Sequence, residues 1–162
     1  HPTVKVVVVM TNKSEAGVIR RAEKLRIPVE YLPASAFKEG KATEQLRKYE
    51  ADFIVLAGFL LRIPNDMLET YPNRIVNIHP SLLPKFGGKG MYGNRVHEAV
   101  LEAQEKESGI TIHYINEHYD EGAIILQAQC PVVEGDTPDT LANRVHQLEY
   151  EHYPKVIEQL LT

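Results

Sequence analysis

Cysteine is almost absent: Cys130 is the only thiol in the sequence. One cysteine excludes an internal disulfide and a cysteine-rich zinc framework. Long apolar runs are missing too. None exceeds the five residues of Val6 to Met10, which is strand-sized and far short of the roughly 20 residues of a membrane span. Basic charge is not in excess, since 18 Lys and Arg face 22 Asp and Glu for a net charge of -4. The pI is near 6.0. Such a balance gives no electrostatic footprint for nucleic acid or an anionic membrane. There is no basic segment followed by an apolar stretch and a cleavage site, so no signal peptide is visible. A cytoplasmic location is expected. No GxSxG elbow, GxxxxGK[ST] loop or HExxH helix occurs, which argues against the chemistry each supports.

What is present suits one α/β domain over 1–162. Hydrophobic residues make up 43% and charged residues 25% of the 162 positions, close to the globular average. A chain of this size removes roughly 69% of its unfolded surface on folding, so its core needs no staples. Val4 to Met10 reads as a strand covered on both faces. Ser14 to Arg26 has Ala16, Ile19, Ala22 and Leu25 at helical spacing. Strands are predicted at Val29 to Leu32, Asp52 to Ala57, Arg74 to His79, Gly109 to Ile115 and Ala123 to Val133. Helices are predicted at Lys41 to Glu50, Pro64 to Thr70 and Arg95 to Glu105. Thr137 caps a last long helix with Pro138 at its first position, and Pro154 is expected to kink or split it. Residues 81–94 form a long loop carrying Gly87, Gly88, Gly90 and Gly93. Strands alternating with helices predict a Rossmann-like, mainly parallel sheet with helices on both faces. Ligands of such sheets bind at the carboxyl ends of the strands. That rule points to Gly58, to Asn77-Ile78-His79, and to the loop 116–122.

Asn77 and His79 are two apart on a strand, so both point to one face. An amide donor beside an imidazole can stabilise an oxyanion. Spacing alone favours the plainer reading, a strand end whose polar groups satisfy the following loop. Asp120 lies in an acidic loop, where a carboxylate can orient an imidazole and favour its cation, or simply be solvated. His113, His118 and the nearby carboxylates lack the spacing of a metal site, so no metal is expected. Cys130 sits in an apolar strand with no adjacent base and reads as a buried structural residue. Glu149 and His146 share the apolar face of the last helix, where polar groups need partners.

Taken together, these motifs resemble the folate-dependent formyltransferases. Asn77-Ile78-His79-Pro80-Ser81-Leu82-Leu83-Pro84-Lys85 is similar to that family's Asn-x-His motif followed by Ser-Leu-Leu-Pro. The aspartate of Tyr119-Asp120-Glu121-Gly122 resembles its second motif, 41 positions after His79. Val55-Leu56-Ala57-Gly58-Phe59 also matches, and the likeness extends over nearly the whole chain. It implies transfer of a formyl group from 10-formyltetrahydrofolate, a co-substrate, to the amine of glycinamide ribonucleotide in purine synthesis. It implies direct attack through a tetrahedral intermediate, with Asn77, His79 and Asp120 as the catalytic group. Leu60, Leu61, Arg62 and Ile63, with Ile115, Asn116, Glu117, His118 and Tyr119, would cradle the folate. Gly58, His146 and Glu149 would contact the nucleotide substrate, with His146 where some relatives carry glutamine.

By the same resemblance, the family begins with a strand, a glycine-rich phosphate-binding turn and a helix that this sequence does not show. Val4 to Met10 matches the family's second strand, so the chain is expected to be N-terminally truncated relative to it. A monomer or homodimer is expected. Three other readings stand beside formyl transfer to the nucleotide. A formyltetrahydrofolate hydrolase would use the same residues with water as acceptor. A non-catalytic folate-binding fragment would keep them without turnover. A methionyl-tRNA formyltransferase is disfavoured by the acidic balance.

Overall fold

The computed structural model describes residues 3–116 and 122–162. The chain divides into two compact units, one of residues 1–54 and 61–74, the other of 55–60 and 75–162.

In the first unit, β1 (Val9–Thr11) pairs in parallel with β2 (Val29–Tyr31), and α1 (Gly17–Lys24) connects them. The strand expected over Val4 to Met10 is shorter, because the ladder runs only from Val9↔Val29 to Thr11↔Tyr31. Helix α1 is also shorter than the expected Ser14 to Arg26. Residues 14–15 form a turn, Ala16 offers no side-chain cap, and the apolar stripe alone does not extend a helix past its ends. A short helix missed in the sequence, α2 (Ala34–Lys38), starts after Pro33, whose extended backbone serves as N-cap. α3 (Lys41–Lys48) starts after Gly40, whose φ of 80° falls in the left-handed region that suits glycine. Its Thr43 hydroxyl donates to Asp66 on α4 (Asn65–Thr70), and Arg47 donates to Thr70 at 3.1 Å. Ala42, Thr43, Leu46 and Met67 are buried along these two helices.

The second unit is built on a four-stranded sheet with order β3-β4-β5-β6, where β3 is Ile54–Leu56, β4 Ile75–His79, β5 Glu107–Tyr114 and β6 Ile124–Pro131. The α/β class holds, but strand β3 is not sealed on both faces, since Val55 is 40% exposed. β5 runs antiparallel to both β4 and β6. For β5 and β6 the reason is length, because the connection at 115–123 is too short for a crossover to a parallel strand. The β5–β6 ladder slips by one residue at Ile112/His113, so Ile125 is the extra residue of a bulge. Gly109 is required where the strands approach, as a Cβ there would overlap the Ala128 carbonyl.

α6 (Pro138–Leu161) packs on β5 and β6 of this sheet, and α5 (Asn94–Glu102) packs against α6. α6 carries the expected cap, since the Thr137 hydroxyl accepts from Thr140 N and Pro138 follows it. Leu141, Val145 and Val156 are buried, as their spacing predicts. The split expected at Pro154 does not occur. A proline removes one ladder hydrogen bond, and buried Tyr153 and Val156 anchor the helix on either side of it. Arg144 grips Asp136 with two hydrogen bonds of 2.8 and 3.0 Å and also donates to Pro131 O. That guanidinium, with the Val133 N–H, holds the Asp136 carboxyl well below the usual carboxylate range.

Tyr153, 8% exposed, donates to Leu56 O at 2.7 Å and so ties α6 to the end of β3. Burial, and then the charge of Glu149, pushes its hydroxyl up. Replacing Tyr153 by Phe leaves the Leu56 carbonyl without that donor. Urea unfolding is expected to show a loss of about 1–2 kcal/mol, the cost of one unsatisfied acceptor. An unchanged midpoint would show that water replaces the tyrosine.

Candidate active site

The carboxyl end of β4 carries Asn77 and His79, and the antiparallel register decides what they face. Asn77 lies opposite His113 and His79 opposite Thr111. Asn77 Nδ2 is 3.3 Å from His113 Nε2, and His113 Nδ1 is 3.0 Å from Tyr114 O. A carbonyl only accepts, so Nδ1 carries the proton. In a neutral ring Nε2 then accepts from the Asn77 amide. The buried imidazole therefore fixes which way the amide points and uses one of its two N–H protons. His113 was singled out in the sequence only as a metal-ligand candidate. The signal that finds it is the register of β4 on β5, which a single sequence does not print.

His79 is 5% exposed, and its Nε2–H donates to Phe86 O at 2.9 Å. Phe86 itself has φ of 55°, an uncommon conformation for a bulky residue. The plain reading of this strand end is thus partly realised, because the loop that follows does satisfy His79. The same bond sets the orientation of the ring.

Other predicted residues fall in several places. Gly58 follows β3 with φ of 66°, just past the Leu56 carbonyl held by Tyr153. Leu60 is 48% exposed. Leu61, Arg62 and Ile63 belong to the first unit, where Ile63 is buried. Ile115 N–H donates to Ile75 O at 2.9 Å, and Asn116 is exposed. Glu117, His118, Tyr119 and Asp120 lie outside the described residues. On α6, His146 Nδ1 is 3.1 Å from Glu149 Oε2, and its ring stacks on Tyr150. The inward position expected for both holds better for Glu149, which is half-buried, than for His146, which is exposed. The partner each needs is the other. The structure therefore joins Asn77 to His113, His79 to the 81–86 loop, and His146 to Glu149.

Cys130 is buried, and burial pushes its thiol up, away from nucleophilic use. Among the described residues, no group of three His, Cys, Asp or Glu side chains is placed to hold a metal ion. No helix among them is long and apolar enough to cross a membrane.

Comparison with known proteins gives one consistent likeness. The profile of the formyl transferase family matches residues 1–157. A chloroplastic phosphoribosylglycinamide formyltransferase of Arabidopsis thaliana is 44% identical over 94% of this chain and 54% of its own length. The phosphoribosylglycinamide formyltransferase of Bacillus subtilis (strain 168) is 41% identical over 93% of this chain and 77% of its own. The chain spans about half the length of the plant relatives it matches. A crystal structure of phosphoribosylglycinamide formyltransferase from Bacillus halodurans superposes with a TM-score of 0.89 and 36% identity, covering 98% of this chain and 81% of that one.

One buried titratable group was not singled out in the sequence. His97, on α5, is 2% exposed, and its Nδ1 has no hydrogen-bond partner among the described residues. Burial lowers its pKa from the ordinary 6.5, and the cationic forms of His146 and His79 lower it further. The folded chain thus refuses a proton that the unfolded chain accepts. Its contribution is full above the ordinary value and is lost as pH falls below it. Between about pH 7.5 and about pH 5, unfolding free energy should fall, and the fall should be smaller in His97→Leu. Urea titrations at the two pH values measure this. An equal fall in both proteins would remove His97 from the account.

Proposed function

The chain belongs to the formyl transferase family, and from that premise we propose that the protein formylates the amine of glycinamide ribonucleotide with 10-formyltetrahydrofolate. We take 1–162 as one catalytic domain, a reading supported by a family match that runs through both units. The observation that carries the chemistry is the Asn77–His113 hydrogen bond beside His79. It gives a neutral amide donor of fixed orientation next to an imidazole at the carboxyl end of a strand.

In the proposed reaction the substrate amine attacks the formyl carbon. The carbonyl π pair moves to oxygen and forms an oxyanion. The second N–H of Asn77 donates to that oxygen, and His79 as imidazolium stabilises it. The attacking nitrogen loses a proton, with Asp120 proposed to help carry it through water. The bond from carbon to the folate nitrogen then breaks, and that nitrogen takes up a proton. The products are the formylated amide and tetrahydrofolate. No covalent bond to the protein forms, which agrees with the burial of Cys130. Leu60 to Ile63 and Ile115 to Tyr119 are assigned to the folate. Gly58, His146 and Glu149 are assigned to the nucleotide, where the Glu149 carboxylate can accept from ribose hydroxyls.

The test is formyl transfer by the full-length protein, followed by product mass and by the absorbance of the folate. Deformylation of the folate without any acceptor would instead favour the hydrolase reading. Asn77→Ala and His79→Ala should each lower kcat by about 10²–10³, the cost of one oxyanion donor. KM for the folate should stay within a few-fold. A kcat preserved in both variants would overturn these assignments.

A further inference from the structure

We infer that Thr111 is a positioning residue for His79, acting through the loop 81–86. The inference rests on the reading of His79 given above. Thr111 lies opposite His79 on one side and opposite Gln127 on the other. Its side chain is fully buried. The hydroxyl donates to Ser81 O at 2.7 Å and accepts from Leu83 N at 3.0 Å and Gln127 Nε2 at 3.0 Å. One proton and two lone pairs are all a hydroxyl has, and all three are used.

The neighbours extend the clamp. Gln127 Nε2 also donates to Leu83 O at 2.9 Å, so side chains hold both backbone groups of Leu83. The Ser81 hydroxyl donates to Lys85 O at 2.7 Å. The next residue, Phe86, presents the carbonyl that holds His79. The loop thus leaves β4 at His79, is gripped by Thr111, and returns its own carbonyl to the same imidazole. A cavity of about 290 Å³, lined in part by Leu82, Leu83, Phe86, Val100 and Gln127, flanks this loop. Thr111 supplies two hydrogen bonds to the backbone of this loop, at Ser81 O and Leu83 N.

Thr111→Val keeps the β-branched shape and removes the hydroxyl, while Thr111→Ser keeps the hydroxyl. In the full-length protein, Thr111→Val should lower kcat about 10- to 100-fold, the effect of misplacing a reacting group by about 1 Å. KM for both substrates should change by less than about threefold, and Thr111→Ser should recover most of the loss. Placed on His79→Ala, Thr111→Val should cost less than about twofold, because nothing remains to be positioned. Imidazole NMR supplies a readout without turnover. The His79 Nε2–H should be protected from exchange in the wild type and in Thr111→Ser, and exposed in Thr111→Val. If Thr111→Val does not fold, Gln127→Ala tests the same clamp and should show the same loss of protection in part. Retained protection with unchanged kcat would overturn the inference, as would an equal loss with and without His79. If the wild type transfers no formyl group, the reaction reading fails, and the NMR result still decides the role of Thr111.

Discussion

The antiparallel ladder between β4 and β5 is the constraint on which the site depends. It sets Asn77 against His113 and His79 against Thr111 in consecutive same-face pairs. Side chains alternate with period two along a strand, so a slip of one residue would send both to the other face. The pairing is accompanied by deep burial: Ile75, Val76, Ile110 and Ile112 are almost completely inaccessible. Apolar packing that has nothing to do with chemistry therefore accompanies the register in which these polar groups meet. Thr111 extends the row to Gln127 on β6, so three strands contribute to the shape of a single loop.

Much of this was legible in the sequence. Asn77 and His79 stand out because their spacing, the strand before them and Pro80 after them are all local signals. The buried face of α6 was legible from Leu141, Val145 and Val156, and its start from Thr137-Pro138, since caps and amphipathic stripes are written within a few residues. His113 and Thr111 were not legible as site residues. Each is an ordinary strand residue until its cross-strand neighbour is known, and that neighbour is more than 30 positions away. His97 was hidden for a similar reason, because burial is a property of what packs on α5. The extent of Val4 to Met10 was overread, because a continuous β-branched apolar run signals a willingness to pair and not the length of the partner.

The polar groups at the end of β4 are satisfied in a layered way. Asn77 is held by a side chain, His113, which is itself held by a backbone carbonyl. His79 is held directly by a carbonyl. Both chains of contact end on the backbone, and a backbone group loses no side-chain entropy on being fixed. Such an arrangement keeps donors aimed before any ligand arrives, which is the condition for electrostatic stabilisation of a developing charge.

The acceptor of His79 has a further consequence for how the protein can vary. Every residue has a carbonyl, so no single replacement at Phe86 deletes the group that holds the ring. Heritable change can reach it only by bending the loop, through its length, its left-handed turn at Phe86 or the residues that clamp it. Side-chain drift at position 86 is thereby separated from the orientation of the imidazole. Insertions and deletions between Ser81 and Phe86 carry the risk instead.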